Sequence, residues 1–353
     1  MNTQPVVAVG LSGGVDSSVA ALRLKQQGYR VIGVFIKVWH PDFMVCNWEQ
    51  ERLDAMRVAA RLEIPFLTCD AVTAYHDAVA QEFIAEYEAG RTPNPDILCN
   101  RCVKFGAFLD FAVQHGADYI ATGHYAQRID TTTGPTLHRG HDSAKDQSYF
   151  LWSLTETQLS QSLFPVGDTS KPEIRAEAEV SQLITAAKRD SQGICFLGHV
   201  DIPEFLRHYF PLTPGVVLDT NGAIIGHHRD ARVYTIGQRH GFTITTHDAA
   251  RTPYYVIARD MEANTITVAP TRPTWTVGTR LTLTKVITRH TLVPGTTYAA
   301  QCRYRQVPFG VRIVTATEAV ITIELLETVE QAAPGQSCVL YDESVCIGGG
   351  MIA

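Results

Sequence analysis

The chain has no apolar run approaching the ~18 residues that a membrane-spanning helix needs. Its first residues, Met1-Asn2-Thr3-Gln4-Pro5, lack the basic and apolar segments of a signal peptide. Cysteine is sparse and irregularly spaced, eight in 353 residues, which argues against a disulfide scaffold and for a reducing compartment. These absences lead to the expectation of a cytoplasmic protein. Low-complexity tracts and internal repeats are also lacking, and the length allows two or three domains. One further absence concerns charge. Between Ala263 and Thr317 there is no Asp or Glu, while Arg272, Arg280, Lys285, Arg289, Arg303, Arg305 and Arg312 supply seven positive charges. The rest of the chain holds 23 of the 30 basic residues and all 36 acidic ones. A basic segment in a protein of net charge −6 can bind a polyanion locally. It reads equally well as a threonine-rich β segment with exposed arginines.

What is present is organised around Val6-Val7-Ala8-Val9-Gly10-Leu11-Ser12-Gly13-Gly14-Val15-Asp16-Ser17-Ser18. Small and β-branched apolar residues predict a buried strand. A glycine turn comes next, then a helical pattern through Leu24, with Asp16 and Ser17 as its N-cap candidates. Strand, glycine turn and helix N-terminus together make an anion site, because backbone N–H groups and the helix dipole converge on it. No lysine follows the glycines, so the loop suits holding a pyrophosphate while chemistry happens at an α-phosphate.

Up to about Gly198, strands and helices alternate. Strands are expected at Arg30–Ile36, Pro65–Thr68 and Asp118–His124, and helices around Leu53–Arg61, Ala78–Tyr87 and Lys104–His115. That alternation predicts a doubly wound, mostly parallel α/β sheet with its ligand at the carboxyl ends of strands. From about Pro203 the rhythm becomes short strands. Hairpins are expected at Val216–Ile225, around an Asn-Gly turn, and at Tyr254–Ala269. Further strands at Leu281–Val286, Thr297–Tyr304, Val311–Ala316, Ala319–Leu325 and Ser337–Tyr341 suggest a β-barrel. The expected division is 1–202, a small β unit over 203–272, and a barrel over 273–353.

Two cysteine-bearing stretches stand out. In Thr92-Pro93-Asn94-Pro95-Asp96-Ile97-Leu98-Cys99-Asn100-Arg101-Cys102, two prolines make a stiff, non-helical approach. A turn or helix start would place Asp96 beside Cys99, and Arg101 and Lys104 would favour a thiolate. Cys99-x-x-Cys102 is also half a zinc site, but no second pair occurs at finger spacing. The other stretch is Asp190-Ser191-Gln192-Gly193-Ile194-Cys195-Phe196, with Lys188 and Arg189 just upstream. Cys46, Cys69, Cys302, Cys338 and Cys346 read as small buried hydrophobes.

The Ser-Gly-Gly-Val-Asp-Ser-Ser loop resembles the signature of the PP-loop ATP pyrophosphatases. Gly90–Asn100, Ala121-Thr122-Gly123-His124-Tyr125, Lys145–Phe150, Asp190–Phe196, Thr235–Arg239, Arg303-Tyr304-Arg305 and Pro334–Ser337 then stand in that order. Together they resemble the bacterial tRNA-specific 2-thiouridylase family over essentially the whole chain. That resemblance implies 2-thiolation of the wobble uridine, position 34, in the tRNAs for Glu, Gln and Lys. It implies ATP accompanied by Mg2+, adenylylation of the C2 oxygen, and Cys195 as a persulfide carrier. It assigns Cys99 as the resolving cysteine, able to form a Cys99–Cys195 disulfide, and Asp96 as the proton-handling group. ATP contacts are implied for Gly10, Leu11, Ser12, Gly13, Gly14, Val15, Asp16, Ser17, Ile36 and Gly123. Asn94, Pro95 and Asp96 would touch the base, and His124, Lys145, Asp146, Gln147, Arg303, Tyr304 and Gln336 the tRNA. A sulfur-relay protein or cysteine desulfurase would deliver sulfur to a monomeric enzyme. Cys102 departs from the family pattern; it is an alternative resolver, or a third thiolate for an iron–sulfur cluster with Cys99 and Cys195. Ile36 stands where many relatives have methionine.

Overall fold

The computed structural model describes residues 4–44, 47–189, 198, 201–245 and 253–353. Val6–Gly10 (β1), Arg30–Lys37 (β2), Phe66–Asp70 (β3) and Tyr119–Ala121 (β4) are strands of one sheet. After a hairpin of Ala126–Thr131 (β5) and Gly134–Arg139 (β6), Ser162–Leu163 (β7) completes that sheet in the order β3-β2-β1-β4-β7. Every pairing in it is parallel. Helices pack on it, so its central strands are buried and read as continuous apolar runs. Among them are Val15–Gln26 (α1) and Trp48–Arg61 (α2). The chain lays β2 and β3 to one side of β1, then crosses over to place β4 on the other. The reversal opens a crevice at the carboxyl ends of β1 and β4.

Besides α2, which already starts at Trp48, two helices begin earlier than their apolar spacing suggests. One runs over 72–88. The other starts at Pro95, immediately after the extended Asn94, and continues to Gln114 with wide π-type turns over Cys99–Ala107. A proline fits the first helical position because its missing N–H is unpaired there in any case. The Asn94–Pro95 step is therefore a helix start, and the non-helical approach expected through both prolines ends at Asn94.

The second sheet uses Gly215–Leu218 (β8), Ile224–His228 (β9), Thr243–Ile244 (β10), Tyr255–Asp260 (β11) and Thr265–Ala269 (β12), ordered β10-β9-β8-β12-β11. The Asn-Gly turn forms between β8 and β9, with Gly222 at φ +82. Asp219 holds that turn by accepting the amides of Asn221 and Ala223 at 2.8 Å.

The last part consists of Thr274–Trp275 (β13), Arg280–Thr288 (β14), Thr297–Gln301 (β15), Phe309–Ala316 (β16), Ile321–Leu325 (β17), Val329–Glu330 (β18), Ser337–Asp342 (β19) and Val345–Ile352 (β20). The order β14-β17-β16-β15-β19-β20, with β20 pairing back onto β14, is a closed six-stranded barrel. Sequence patterning missed β20, because Gly348-Gly349-Gly350 suppresses a strand signal. Closure requires those glycines. A Cβ on Gly348 would lie 2.2 Å from the Ile287 carbonyl oxygen, and one on Gly349 2.3 Å from that of Cys338. The β5–β6 hairpin, also missed, pairs His138 with Val345 and extends the barrel sheet. The Tyr149 hydroxyl donates to the carbonyls of Cys302 and Ser337 at 3.1 and 3.2 Å, so barrel and α/β part share a buried seam. Among the described residues, no helix is long and apolar enough to cross a membrane.

Candidate functional site

The phosphate loop lies at the sheet's switch point. Leu11 still donates its amide to the Val34 carbonyl at 2.8 Å, so the loop leaves β1 anchored to β2. Gly13 has φ +71, and a Cβ there would lie 2.8 Å from the Glu51 carbonyl oxygen on α2. The N-cap of α1 is the extended Gly14, not Asp16 or Ser17, and it carries no side-chain cap. Ser17 and Ser18 turn their hydroxyls back onto the Gly14 carbonyl at 3.2 and 2.7 Å. The first-turn N–H groups are thereby left for an anion. Gly123, at the end of the β4 segment, abuts this helix start: a Cβ would sit 2.6 Å from the Ser17 nitrogen. Ile36 lies buried near Gly10.

Asp16 is held by two residues from outside the loop. The Lys171 ammonium lies 2.7 and 2.8 Å from its two oxygens, and the Tyr125 hydroxyl donates to it at 2.7 Å. Lys171 is buried and opens the helix Lys171–Val180, whose Ser170–Glu173 capping box fixes its start. The loop that lacks a lysine of its own thus receives one from a distant element. Sequence reasoning missed it; the Ser-Lys-Pro-Glu start of that helix was the available signal. Gln147 doubles its grip on Tyr125, accepting that residue's amide at 2.9 Å and donating its own to the carbonyl at 2.8 Å.

Asp96 and Cys99 share the first turns of the helix from Pro95, with Asp96 half-buried and Cys99 fully buried. Burial pushes the Cys102 thiol up, and the opposing effect of Arg101 is smaller. Cys195 lies outside the described residues, as does Cys46. The described approach to Cys195 is anchored next to the loop: Lys188 reaches Asp54 on α2 at 2.8 Å, and Arg175 donates to the Lys188 carbonyl at 2.9 Å. Cys69, Cys302, Cys338 and Cys346 are buried, and burial holds Cys69 at about 11. Among the described residues no group of three metal-ligating side chains is present.

Several expected RNA contacts are occupied inside the protein. His124 is buried between Phe105 and Phe164 and hydrogen-bonded to Thr122 at 2.7 Å; burial holds it well below the usual imidazole range. Asp146 is buried and accepts from Gly140, Ser148 and Arg139 at 2.9 to 3.0 Å. Arg303 is half-buried and donates to the carbonyls of Ile236 at 3.2 Å and Gln331 at 2.7 Å. Gln336 donates to the Thr92 carbonyl at 2.8 Å. Tyr304 packs on Phe150 at 4.7 Å, and Phe150 accepts the Asn100 side-chain amide through its carbonyl at 3.0 Å. Lys145 and Gln147 are half-buried.

The basic segment is neutralised in space. Arg280 and Arg312 both meet Glu324, Arg272 meets Glu330, and Lys285 meets Glu82 and Glu86. Arg289 donates to the Trp152, Leu154 and Cys346 carbonyls. Arg305 stays exposed over the Tyr304 ring, with no carboxylate or carbonyl partner among the described residues.

The chain matches three family models in succession. They are described as a tRNA methyl transferase HUP domain over residues 5–199, a tRNA methyl transferase PRC-barrel domain over 203–270, and an aminomethyltransferase beta-barrel domain over 286–352. The tRNA-specific 2-thiouridylase MnmA of Aeromonas salmonicida is 44% identical over 99% of this chain and 97% of that protein. That of Proteus mirabilis is 42% identical over 99% and 98%. The chain belongs to the tRNA-specific 2-thiouridylase family. Within this 2-thiouridylase the nucleotide loop sits at the sheet's switch point, and Lys188, upstream of Cys195, is tied to Asp54 on α2, against which Gly13 packs; a one-dimensional motif order does not reveal that neighbourhood.

Proposed function

We infer that this protein is an ATP-dependent tRNA-uridine 2-sulfurtransferase, converting uridine 34 to 2-thiouridine with release of AMP and pyrophosphate. The observation that carries this is the identity of 42–44% across 99% of the chain to proteins named for that activity. A lysine-free phosphate loop at the sheet's switch point supports it.

The uracil C2 oxygen attacks the α-phosphate, the α–β phosphoanhydride breaks, and pyrophosphate leaves into the amides of Gly13–Ser17. The terminal sulfur of the Cys195 persulfide then attacks C2, and AMP departs with the oxygen. The Cys99 thiolate attacks the Cys195 sulfur, which leaves 2-thiouridine and a Cys99–Cys195 disulfide. An external thiol reductant returns both cysteines to the reduced state. Asp96, half-buried one turn from Cys99, handles the proton. Mg2+ enters with the triphosphate, since Asp16, the loop's only carboxylate, is already held by Lys171 and Tyr125.

Asn94 and Pro95 meet the base; Lys145, Gln147, Arg303, Tyr304 and Gln336 meet the tRNA. His124 and Asp146 order the segments that do so. The substrates are the tRNAs for Glu, Gln and Lys, and a persulfide-bearing protein supplies the sulfur to a cytoplasmic monomer. The units are 1–202, 203–272 and 273–353.

Cys195→Ser decides the sulfur role. It should abolish 2-thiouridine, measured by nucleoside analysis of the tRNA, while ATP binding persists. Full thiolation by that variant overturns the assignment.

A further inference from the structure

Thr92 is buried, and its polar groups reach two other parts of the molecule. Its amide donates to the Pro334 carbonyl at 3.0 Å, and its carbonyl accepts the Gln336 side chain at 2.8 Å; both partners belong to the turn that enters the barrel's last pair of strands. Its hydroxyl lies 3.0 Å from that of Thr235, in the middle β unit. Gly335, at φ +89, allows the close approach, since a Cβ there would lie 3.0 Å from the Thr92 carbonyl oxygen. Arg303 closes the ring from the other side. It grips the carbonyls of Ile236, next to Thr235, and Gln331, just before that turn. Gly90 is likewise held, its carbonyl accepting Arg259 at 2.8 Å.

The segment after Thr92 is stiff. Pro93 and Pro95 are both buried, each fixes its own φ, and each pushes its predecessor out of the helical region. A shift at Thr92 is therefore carried along Pro93-Asn94-Pro95 into the turn bearing Asp96 and Cys99, with little slack to absorb it. All three parts of the chain meet at one threonine three residues before the helix that carries the resolving cysteine.

We propose that Thr92 is a positioning residue: RNA seated on the middle unit and barrel acts through Thr235, Gln336 and Arg303 on Thr92, and so sets the Asp96–Cys99 turn for sulfur transfer. Arg303 and Gln336 then have a second task besides touching tRNA. The inference rests on the thiolation activity proposed above.

The test measures single-turnover thiolation, the KM for ATP and the Kd for tRNA in Thr92→Val, Thr92→Ser, Thr235→Val and the Thr92→Val/Thr235→Val pair. Thr92→Val should cut kcat about tenfold, as expected for one lost buried hydrogen bond, with the KM for ATP and the Kd for tRNA within twofold of wild type. Thr92→Ser, which keeps the hydroxyl, should restore most of kcat. Thr235→Val should match Thr92→Val, and the pair should be no worse than either alone. An unchanged kcat in Thr92→Val overturns the proposal. So does a pair whose losses multiply, or a loss that appears in tRNA affinity instead of kcat. Should Thr92→Val fail to fold, Thr235→Val probes the same bond from its other end. If wild-type protein makes no 2-thiouridine the parent reading fails, whereas active wild type with an unaffected Thr235→Val sinks only this inference.

Discussion

The phosphate loop and the acid-free segment 263–317 carried the two strongest compositional signals, and they fared differently in three dimensions. The loop's chemistry is local. Its glycines, its strand and its helix start act within thirteen consecutive residues, so spacing alone identifies an anion site. The basic segment's chemistry is not local. Arg280 and Arg312 lie in register with Glu324 on the neighbouring strands, and Arg272 meets Glu330 across β13–β18, so the acids missing from the window return from outside it. Charge counted along a β segment overstates the field it projects, because strand pairing brings in partners from elsewhere in the chain.

That contrast breaks most visibly at Gly123. In Gly123→Ala the new Cβ must push the N-terminus of α1, and a displacement near 1 Å at a reacting centre costs on the order of a hundredfold. Tenfold or less lost in tRNA-dependent pyrophosphate release would mean the loop tolerates what its spacing forbids. Smaller in effect is Lys171→Met, which strips Asp16 of its counter-charge. A fully buried pair so broken loses ~3–5 kcal/mol; with Asp16 about a third exposed, about 2 kcal/mol is expected in urea unfolding. Asp16→Asn in the same background should recover part of it. Unchanged stability would reduce the pair to an incidental surface contact. The smallest effect separates two arginines of the basic segment. Arg305→Ala should lower the slope of log affinity for tRNA against log salt by roughly one, the signature of one lost phosphate contact. Arg312→Ala, whose charge is already met by Glu324, should leave the slope alone. Equal slopes for the two variants would restore the segment as a continuous basic face.

Much of the α/β part was readable because parallel, doubly covered strands are uniformly apolar and their helices are periodic. Strand β20 was not, since the three glycines that let it close the barrel are the residues that hide a strand. The start of the Cys99 helix was half readable: the prolines announced a stiff segment, but only packing shows that Pro95 is its first helical residue. Lys171 escaped because a residue 155 positions from Asp16 gives no spacing signal at all.

By itself, then, the chain determined the chemistry of its pieces: a phosphate loop without a lysine, cysteines in polar stretches of sequence, and a change from α/β to β rhythm near residue 200. Those depend on neighbours within a few residues, where spacing dictates geometry. Tertiary structure decided which charges remain free, which lysine serves the loop, and that Thr92 joins all three parts. These depend on contacts between residues far apart in sequence, and only the closed sheet and the closed barrel bring such residues within hydrogen-bond reach.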